Sequence, residues 1–441
     1  MEPLTLGLIG VLAFCILLLL GIHVAIAMGI VGVSGMILII GLEPTINLLA
    51  TTVLEYGTMY SLIVVPLFIT MGLFATETGI TRDLYNIISM WFGRIKGALA
   101  ISTIGACTIF GAMTGSSIAT AIVFAKVSAP EMIRHGYNKQ LSYALCAASG
   151  ALGMMIPPSI LAVIYGVLVE ESIGKVLIGG IGPGLTLAIC LSLGVVLLLY
   201  ARPSLGPPTE GIRTSWKEKF VSMPKLWPIF IIIIIVIGGI YTGVFTVTEA
   251  AGIANFVLLA LYFSFNRFSK KSLNTMAIIF KESISLTAMI FSIFCLAQIF
   301  SRFMVLSGIS DAFTKLVISS NLSPLVFVIA TGVLYLILGC LIDSISILML
   351  TVPLLLPIVK TLDIDLIWFG VVMILNTQIG LITPPVGINI YVVKGIAGPD
   401  VDLVSLFRAA MPLFIFEVVA LAICIMIPSI TTWLPYTMMG K

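Results

Sequence analysis

The sequence predicts an all-α polytopic membrane protein built from an inverted-topology repeat. Of its 441 residues, 60% are apolar and only 9% are charged, whereas soluble domains carry about 25% charged residues. Apolar runs of about 17 to 25 residues recur along the whole chain, and each is long enough to cross a bilayer. Polar motifs, two of them containing a double proline, recur at a nearly constant spacing in the two halves.

Charged and proline- or glycine-rich breaks separate ten candidate spans. The first span has no preceding basic residue and no small-residue cleavage site after it, so it is not interpreted as a signal peptide. The predicted spans are Leu4–Ile22, Val24–Gly41, Thr58–Gly79, Gln140–Leu168, Val176–Tyr200, Leu226–Gly243, Glu249–Phe265, Ile284–Arg302, Leu366–Val393 and Phe407–Pro428.

Two further apolar segments are predicted to be re-entrant hairpins. Gly97–Ala125 has 29 residues, which is too many for one span and too few for two. Its flanks each carry a net charge of +2, so both ends are expected on the cytoplasmic face. Asn321–Val359 is the second hairpin, and its flanks, with net charges of zero and −1, are expected outside.

The remaining loops support this topology and divide the chain. Arg202–Lys225 and Asn266–Glu282 each carry a net charge of +3 and are expected inside, whereas the acidic Gly41–Gly57 connection is expected outside. The predicted organisation comprises scaffold helices and an arm (1–57), a first repeat (58–200) with hairpin 97–125 and broken helix 140–168, a cytoplasmic linker (201–226), scaffold helices (227–283), a second repeat (284–428) with hairpin 321–359 and broken helix 366–393, and a C-terminal tail (429–441).

Motif spacing reveals the repeat itself. TGITRDL at Thr78–Leu84 matches SGISDAF at Ser307–Phe313, which begins 229 positions later. GMMIPPSI at Gly153–Ile160 matches GLITPPVG at Gly380–Gly387, which begins 227 positions later. Because the flanking charges place corresponding segments on opposite faces, the sequence predicts an inverted repeat, a common architecture of secondary transporters.

Four polar motifs interrupt the apolar segments, and they favour a binding site. Double prolines remove backbone donors and force the preceding residue out of the helical region. The freed carbonyls and nearby hydroxyls suit a hard cation, and half-helix N-termini suit an anionic group. Small-residue patterns also arise from close helix packing, but four clusters at corresponding places favour a site. The motifs are Gly111–Thr120, Ala148–Ser159, Cys340–Ser346 and Asn376–Asn389.

Two carboxylates lie deep in apolar segments. Asp343 is at the tip of the second hairpin, where a lone carboxylate costs about 3 kcal/mol or more and indicates function. The alternative interpretation, which is compatible with the first, is an N-cap of the second hairpin arm. Glu417 lies within the last span without a matching motif, so it is interpreted as an interhelical or subunit contact.

The sequence contains no constellation typical of an enzyme. It lacks a Walker A motif and a pair of deep aspartates, and its only histidines, His23 and His135, are far apart in sequence. Basic residues do not alternate with aromatics, so no nucleic-acid partner is expected. A chain of membrane-embedded titratable groups is also missing, so Na⁺ is favoured over H⁺ as the coupling ion, and no organic cofactor is expected.

Three stretches resemble the large membrane subunit of tripartite ATP-independent periplasmic (TRAP) transporters. They are Gly111–Tyr137 (GAMTGSSIATA…SAPEM…GY), Ala147–Gly166 (AASGALGMMIPPSILAVIYG) and Ser172–Leu185 (SIGKVLIGGIGPGL). The resemblance extends over nearly the whole chain and is densest in the first repeat.

The resemblance implies Na⁺-driven import of a small solute, often a carboxylate such as a C4-dicarboxylate or a sialic acid, across the bacterial inner membrane. It implies an elevator fold and two protein partners in addition to the lipid bilayer. These partners are a periplasmic substrate-binding protein and a small four-helix membrane subunit. Since no four-span segment precedes Met1, the small subunit is expected to be a separate chain.

Site residues follow from the same motifs. The family's Na⁺-binding positions carry over to Gly115, Ser116, Ser117, Pro157, Asp343, Ser344, Thr383, Pro384 and Gly387. No Arg or Lys lies in the four motifs, so polar groups, helix N-termini or Na⁺ would hold an anionic substrate. The candidate substrate-binding residues are Thr114, Ser149, Gly150, Ser159, Ser346, Asn376, Gln378 and Asn389.

Two alternatives to a TRAP subunit are considered. A stand-alone Na⁺-coupled carboxylate or anion transporter would share the inverted repeat but need no partner. A purely structural membrane scaffold would have no use for two double-proline breaks, so it is disfavoured.

Overall fold

The computed structural model describes residues 2–93, 95–207, 215–266, 269–320 and 322–440. Throughout these ranges the regular secondary structure is helical, which confirms the predicted all-α class. Arg94, Asn321 and the middle of the linker, which entered the predictions, lie outside the described residues.

The first half of the chain forms twelve helices. A short 3₁₀ turn at Tyr60–Ile63 precedes the fourth. The helices are α1 (Pro3–Leu19), α2 (Val24–Ile40), α3 (Leu42–Gly57), α4 (Val64–Glu77), α5 (Ile80–Phe92), α6 (Ala98–Thr114), α7 (Ser117–Arg134), α8 (Lys139–Ser149), α9 (Leu152–Met155), α10 (Ile160–Val169), α11 (Ile173–Gly179) and α12 (Ile181–Ala201).

The second half repeats much of this order. Its first long segment is continuous through a 3₁₀ turn at Met223–Leu226 and a π turn at Ile234–Gly238. The helices are α13 (Trp216–Ser222), α14 (Trp227–Ile233), α15 (Gly239–Tyr241), α16 (Val247–Asn266), α17 (Lys270–Leu306), α18 (Ile309–Ser319), α19 (Pro324–Gly339), α20 (Ser344–Thr361), α21 (Leu366–Gly380), α22 (Ile388–Ala397), α23 (Leu403–Met426) and α24 (Ser429–Met439).

Helix length and hydropathy support a polytopic membrane protein. Among the described residues, seven helical segments are long and apolar enough to cross a bilayer, and α8–α10 form an eighth, broken span bent by 43°. Several further apolar helices have only 10–17 residues. The predicted number of ten spans is therefore not established.

Both predicted re-entrant segments fold as helical hairpins. In the first, Thr103 of α6 donates to the Met132 sulfur of α7 over 3.5 Å, far from the connecting turn. In the second, the hydroxyls of Tyr335 in α19 and Thr351 in α20 are hydrogen-bonded. These contacts between distant positions require antiparallel arms, so the chain reverses at Gly115–Ser116 and again at Cys340–Asp343.

Three segments predicted as connections are helical. The Gly41–Gly57 connection is mostly α3, and most of the predicted loop Asn266–Glu282 belongs to the 37-residue α17, which begins with a Ser269–Ser272 capping box. The C-terminal tail forms α24, which packs on α11, α12 and α21. The sequence does not predict these helices, because they mix polar and apolar residues and the predicted spans are uninterrupted apolar runs.

The two halves interlock through reciprocal helix pairs. Helix α2 packs on α17, and the corresponding α4 and α16 pack on each other. Likewise, α22 lies against the hairpin arm α7, and α10 lies against the hairpin arm α20. Each half therefore completes the core of the other and brings both hairpins towards both broken helices.

Candidate functional site

The first hairpin tip packs directly on the first broken helix. Gly115 has a left-handed φ of 59°, and a Cβ added there would lie 2.7 Å from the Pro158 carbonyl oxygen. Ser116 accepts the amide of Ala119 at 3.3 Å and so caps α7. Across the gap, Ser159 caps α10 by accepting the amide of Ala162 at 3.3 Å. The N-termini of α7 and α10 therefore both lie beside the close approach of Gly115 to the Pro158 carbonyl.

Two glycines allow the tip of the first hairpin to pack closely on the first broken helix. A Cβ on Gly150 would lie 2.9 Å from the Ser117 carbonyl oxygen, and one on Gly153 would lie 2.7 Å from that of Ser116. The hydroxyls of Thr114 and Thr120 are 3.1 Å apart across the tip. The glycines are therefore required by close backbone approach, and they leave carbonyl oxygens gathered at the tip.

The second tip is built around Asp343. One carboxylate oxygen accepts the Ser346 amide at 3.0 Å, and the other accepts the Ser346 hydroxyl at 2.6 Å. Asp343 is therefore the N-cap of α20, in agreement with the capping interpretation. Its half-buried carboxylate retains further lone pairs, so the two roles remain compatible.

The second broken helix is closely joined to its hairpin but is more open than the first. Gly339 and Gly380 approach so closely that a Cβ on Gly339 would lie 2.9 Å from the Gly380 Cα. Thr383 donates to the carbonyl of Ile379 at 2.8 Å. Pro384 is exposed, whereas Pro157 at the corresponding position is buried. The described contacts do not bring Thr383 or Pro384 against Asp343.

Two amide side chains of the second broken helix contact the two hairpins and the first broken helix. Asn389, two residues after the left-handed Gly387, donates to the Ser117 hydroxyl at 2.7 Å and to the Ala147 carbonyl at 3.2 Å. Gln378 donates to the Ser344 hydroxyl and to the Met154 sulfur, both at 3.4 Å. Ala147 and Met154 are not among the predicted contacts, because neither has a polar side chain.

Several buried polar atoms on the two broken helices have no hydrogen-bond partner among the described residues. They are Ser149 Oγ, both amide atoms of Asn376, Gln378 Oε1 and Asn389 Oδ1, and all four side chains are fully buried. Native proteins rarely leave such groups unpaired, so their concentration points to a bound ligand or water. All four residues were predicted as substrate contacts.

Glu417 lies apart from this arrangement. It is fully buried in α23, and neither carboxylate oxygen has a partner among the described residues. The chain itself covers the side chain, which favours the predicted interhelical contact over the subunit contact. No hydrogen bond from Glu417 to another helix is found within the described part of the structure.

The donor set fits Na⁺ better than a transition metal. No cluster of three or more His, Cys, Asp or Glu side chains occurs among the described residues. What the tips provide are carbonyl and hydroxyl oxygens and one carboxylate, the hard ligands that alkali and alkaline-earth cations prefer.

Comparison with known proteins identifies the family. Residues 11–430 match the family model "Tripartite ATP-independent periplasmic transporter, DctM component". The C4-dicarboxylate TRAP transporter large permease of Pseudomonas aeruginosa is 34% identical over 410 residues, covering 92% of this chain and 93% of that protein. The ectoine TRAP transporter large permease of Halomonas elongata is 32% identical, covering 95% and 96% respectively.

A solved structure shares the fold at low sequence identity. The YdaH transporter of Alcanivorax borkumensis superimposes with a TM-score of 0.62 at 13% identity, covering 99% of each chain. This likeness shows the fold, whereas the family match over almost the whole length shows that the chain belongs to the DctM family of large TRAP permease subunits, which are multi-pass proteins of the bacterial inner membrane.

Proposed function

We propose that this permease couples inward Na⁺ flow to the import of a small solute that a periplasmic binding protein delivers. The observation that carries the proposal is the set of unpartnered buried polar atoms on the two broken helices, which Asn389 and Gln378 join to the two hairpins. These atoms would be satisfied when ions and solute occupy the junction.

Na⁺ would bind where carbonyl and hydroxyl oxygens collect at the tips. In the first repeat these groups come from Gly115, Ser116, Ser117 and the adjoining Pro157 break. In the second repeat Asp343, Ser344, Thr383, Pro384 and Gly387 would contribute. Such sites replace the hydration shell of the cation without a titratable relay, which favours Na⁺ over H⁺.

The solute would occupy the centre, between the two ion sites. Ser149, Asn376, Gln378 and Asn389 offer donors and acceptors, but no cationic side chain. A carboxylate would then be held by helix N-termini, by amides and by Na⁺ itself. Relatives are named as transporters of C4-dicarboxylates, ectoine and sialic acid, which contain carboxylates, and of isethionate, which carries a sulfonate. Because most of these solutes contain a carboxylate, we propose a small carboxylate-bearing solute.

Transport would follow an elevator cycle. The two hairpins and the two broken helices would move as one unit, because Asn389 and Gln378 bridge them. The scaffold would be formed by α16 and α17 together with α2 and α4, which pack on them. A separate four-helix membrane subunit would complete that scaffold.

Reconstitution tests this function directly. The permease should be incorporated into proteoliposomes with or without the neighbouring small subunit, and with or without the neighbouring binding protein. Uptake of labelled C4-dicarboxylates, ectoine and sialic acid should require both partners. Full uptake by the permease alone would instead establish the stand-alone transporter.

A further inference from the structure

A charged groove runs along the outer side of the first hairpin, between α5 and α7. It consists of two adjoining cavities of about 380 Å³ and 440 Å³ that share Arg82, Lys126 and Val127. The first cavity opens at Gly79 and Thr81, where α5 begins, and the second extends to Arg134 at the end of α7. None of these residues belongs to the proposed transport site.

The N-terminus of α5 offers unfilled hydrogen-bond donors to this groove. Its N-cap, Gly79, has a φ of 74° and provides no side-chain cap, so the first backbone amides of the helix lack an intrahelical acceptor. Thr81 lines the groove and is only 3% exposed, yet its hydroxyl has no partner among the described residues. A buried hydroxyl beside free amides requires an acceptor.

The surrounding charge selects an anionic acceptor. Arg82 and Lys126 are exposed, and neither forms an ion pair with any described residue. Two carboxylates also line the groove, the exposed Glu77 and Glu131, which lies 3.5 Å from both Arg134 and His135. Against them stand Arg82, Lys126 and Arg134, so the groove keeps a net positive charge. The α7 wall contributes the apolar side chains of Ile122, Val123 and Val127. A ligand with a phosphate head and an apolar chain matches both the cationic side chains and the apolar wall of the groove.

The second repeat provides an internal comparison. There α18 begins after Gly308, and the Ser310 hydroxyl is likewise buried without a partner. However, Asp311 takes the place of Arg82, and the neighbouring cavity of about 340 Å³ is lined by apolar side chains such as Phe313 and Leu354. The second repeat thus has a buried hydroxyl at the position of Thr81, but no cation at the position of Arg82 and none lining its cavity.

We propose that this groove binds the phosphate of an anionic phospholipid, with an acyl chain along the apolar wall of α7. Helix N-termini and arginines are both effective phosphate ligands. Basic pockets on the cytoplasmic side of membrane proteins bind lipid headgroups in this way, and the flanking charges predict that face for this hairpin. The site lies on a hairpin arm and does not depend on the ion-coupling proposal.

Lipid titration of the purified full-length chain tests the proposal. Phosphatidylglycerol should raise the melting temperature in neutral detergent, whereas phosphatidylcholine should not. Arg82→Asp, which installs the residue of the second repeat, and Lys126→Gln should each weaken phosphatidylglycerol binding by about fivefold or more, since each removes a charge-assisted contact. Lys270→Gln, an exposed basic residue at the start of α17, should change it by less than about twofold.

Specific outcomes would overturn the lipid site. Unchanged phosphatidylglycerol binding in both variants would remove the groove from consideration, as would equal binding of phosphatidylcholine. Displacement of the lipid by inorganic phosphate at equal concentration would show a soluble-anion site instead. Because Arg82 and Lys126 are both exposed, the other surface variant remains available if one of the two impairs folding.

Discussion

The side-chain amide of Asn389 donates a 2.7 Å hydrogen bond to the hydroxyl of Ser117. This contact joins the second broken helix to the tip of the first hairpin, across the boundary between the repeats. The corresponding position of the first repeat, 227 residues earlier, is Ala162, which cannot form such a bond. The two repeats are therefore coupled by an interaction that their symmetry does not duplicate.

Replacing Asn389 should weaken the connection between the second broken helix and the tip of the first hairpin. Asn389→Ala leaves the Ser117 hydroxyl and the Ala147 carbonyl without their partner, and such losses cost about 1–3 kcal/mol each. We expect the half-saturating Na⁺ concentration for uptake to rise about tenfold or more. Asn255→Ala is a matched control, since Asn255 also donates two hydrogen bonds, to the carbonyls of Leu67 and Ala251, and lies outside the four motifs. An equal change in Na⁺ dependence in both variants would contradict the coupling role.

Asp343→Asn separates ion binding from capping. Asparagine caps helices about as well as aspartate, so its side-chain oxygen should still accept the Ser346 amide. The Ser346 hydroxyl, which donates to Asp343, would instead accept from the new NH2 group, and the melting temperature should change little. As an ion ligand, however, Asp343 needs its charge, and uptake should then require a much higher Na⁺ concentration or cease. Asp402→Asn provides the control, because Asp402 caps α23 at an exposed position. Unchanged Na⁺ dependence in Asp343→Asn would reassign this residue to hairpin stability.

The sequence predicts the parts of this fold whose signal is local. Double prolines interrupt helices wherever they occur, so the breaks at Pro157 and Pro384 were predictable, as were the hairpin tips at Ser116 and Asp343. Motif spacing likewise predicted the repeat. The helix breaks, the hairpin tips and the repeat depend on residue type and separation alone. None of them requires knowledge of a distant contact.

Other features required long-range information. The pairings of Asn389 with Ser117 and of Gln378 with Met154 connect positions more than 200 residues apart, and no periodicity encodes them. The amphipathic α5 and α18 escaped the search because their buried faces alternate with charged residues. The extent of α17 was also missed, because its first turns are polar and resemble a loop.

The predicted topology can be tested by cysteine labelling. In a variant without the native cysteines, cysteines at Lys96 and Lys139 flank the first hairpin, and those at Lys315 and Asp363 flank the second. Flanking charges predict that an impermeant reagent reaches the first pair only from the cytoplasmic side and the second pair only from outside. Labelling of all four positions from one side would refute the inverted repeat.

Glu417 should be replaceable with a gain in stability. A buried carboxyl without a partner costs about 1–3 kcal/mol or more, so an apolar or neutral substitute of similar size should remove part of that cost. Glu417→Gln and Glu417→Met should therefore melt at a higher temperature than the parent and retain Na⁺-dependent uptake. Glu282→Gln, an exposed change of the same kind, should alter neither property. Loss of uptake in both Glu417 variants, with folding intact, would instead place this residue in the transport cycle.

Ion dependence of uptake tests the central claim most directly. Proteoliposomes containing the permease and the small subunit should be supplied with the substrate-loaded binding protein, with and without an inward Na⁺ gradient. Uptake should require that gradient and should collapse when K⁺ replaces Na⁺ on both sides, whatever the proton gradient. Undiminished uptake in K⁺ would contradict Na⁺ coupling at the hairpin tips.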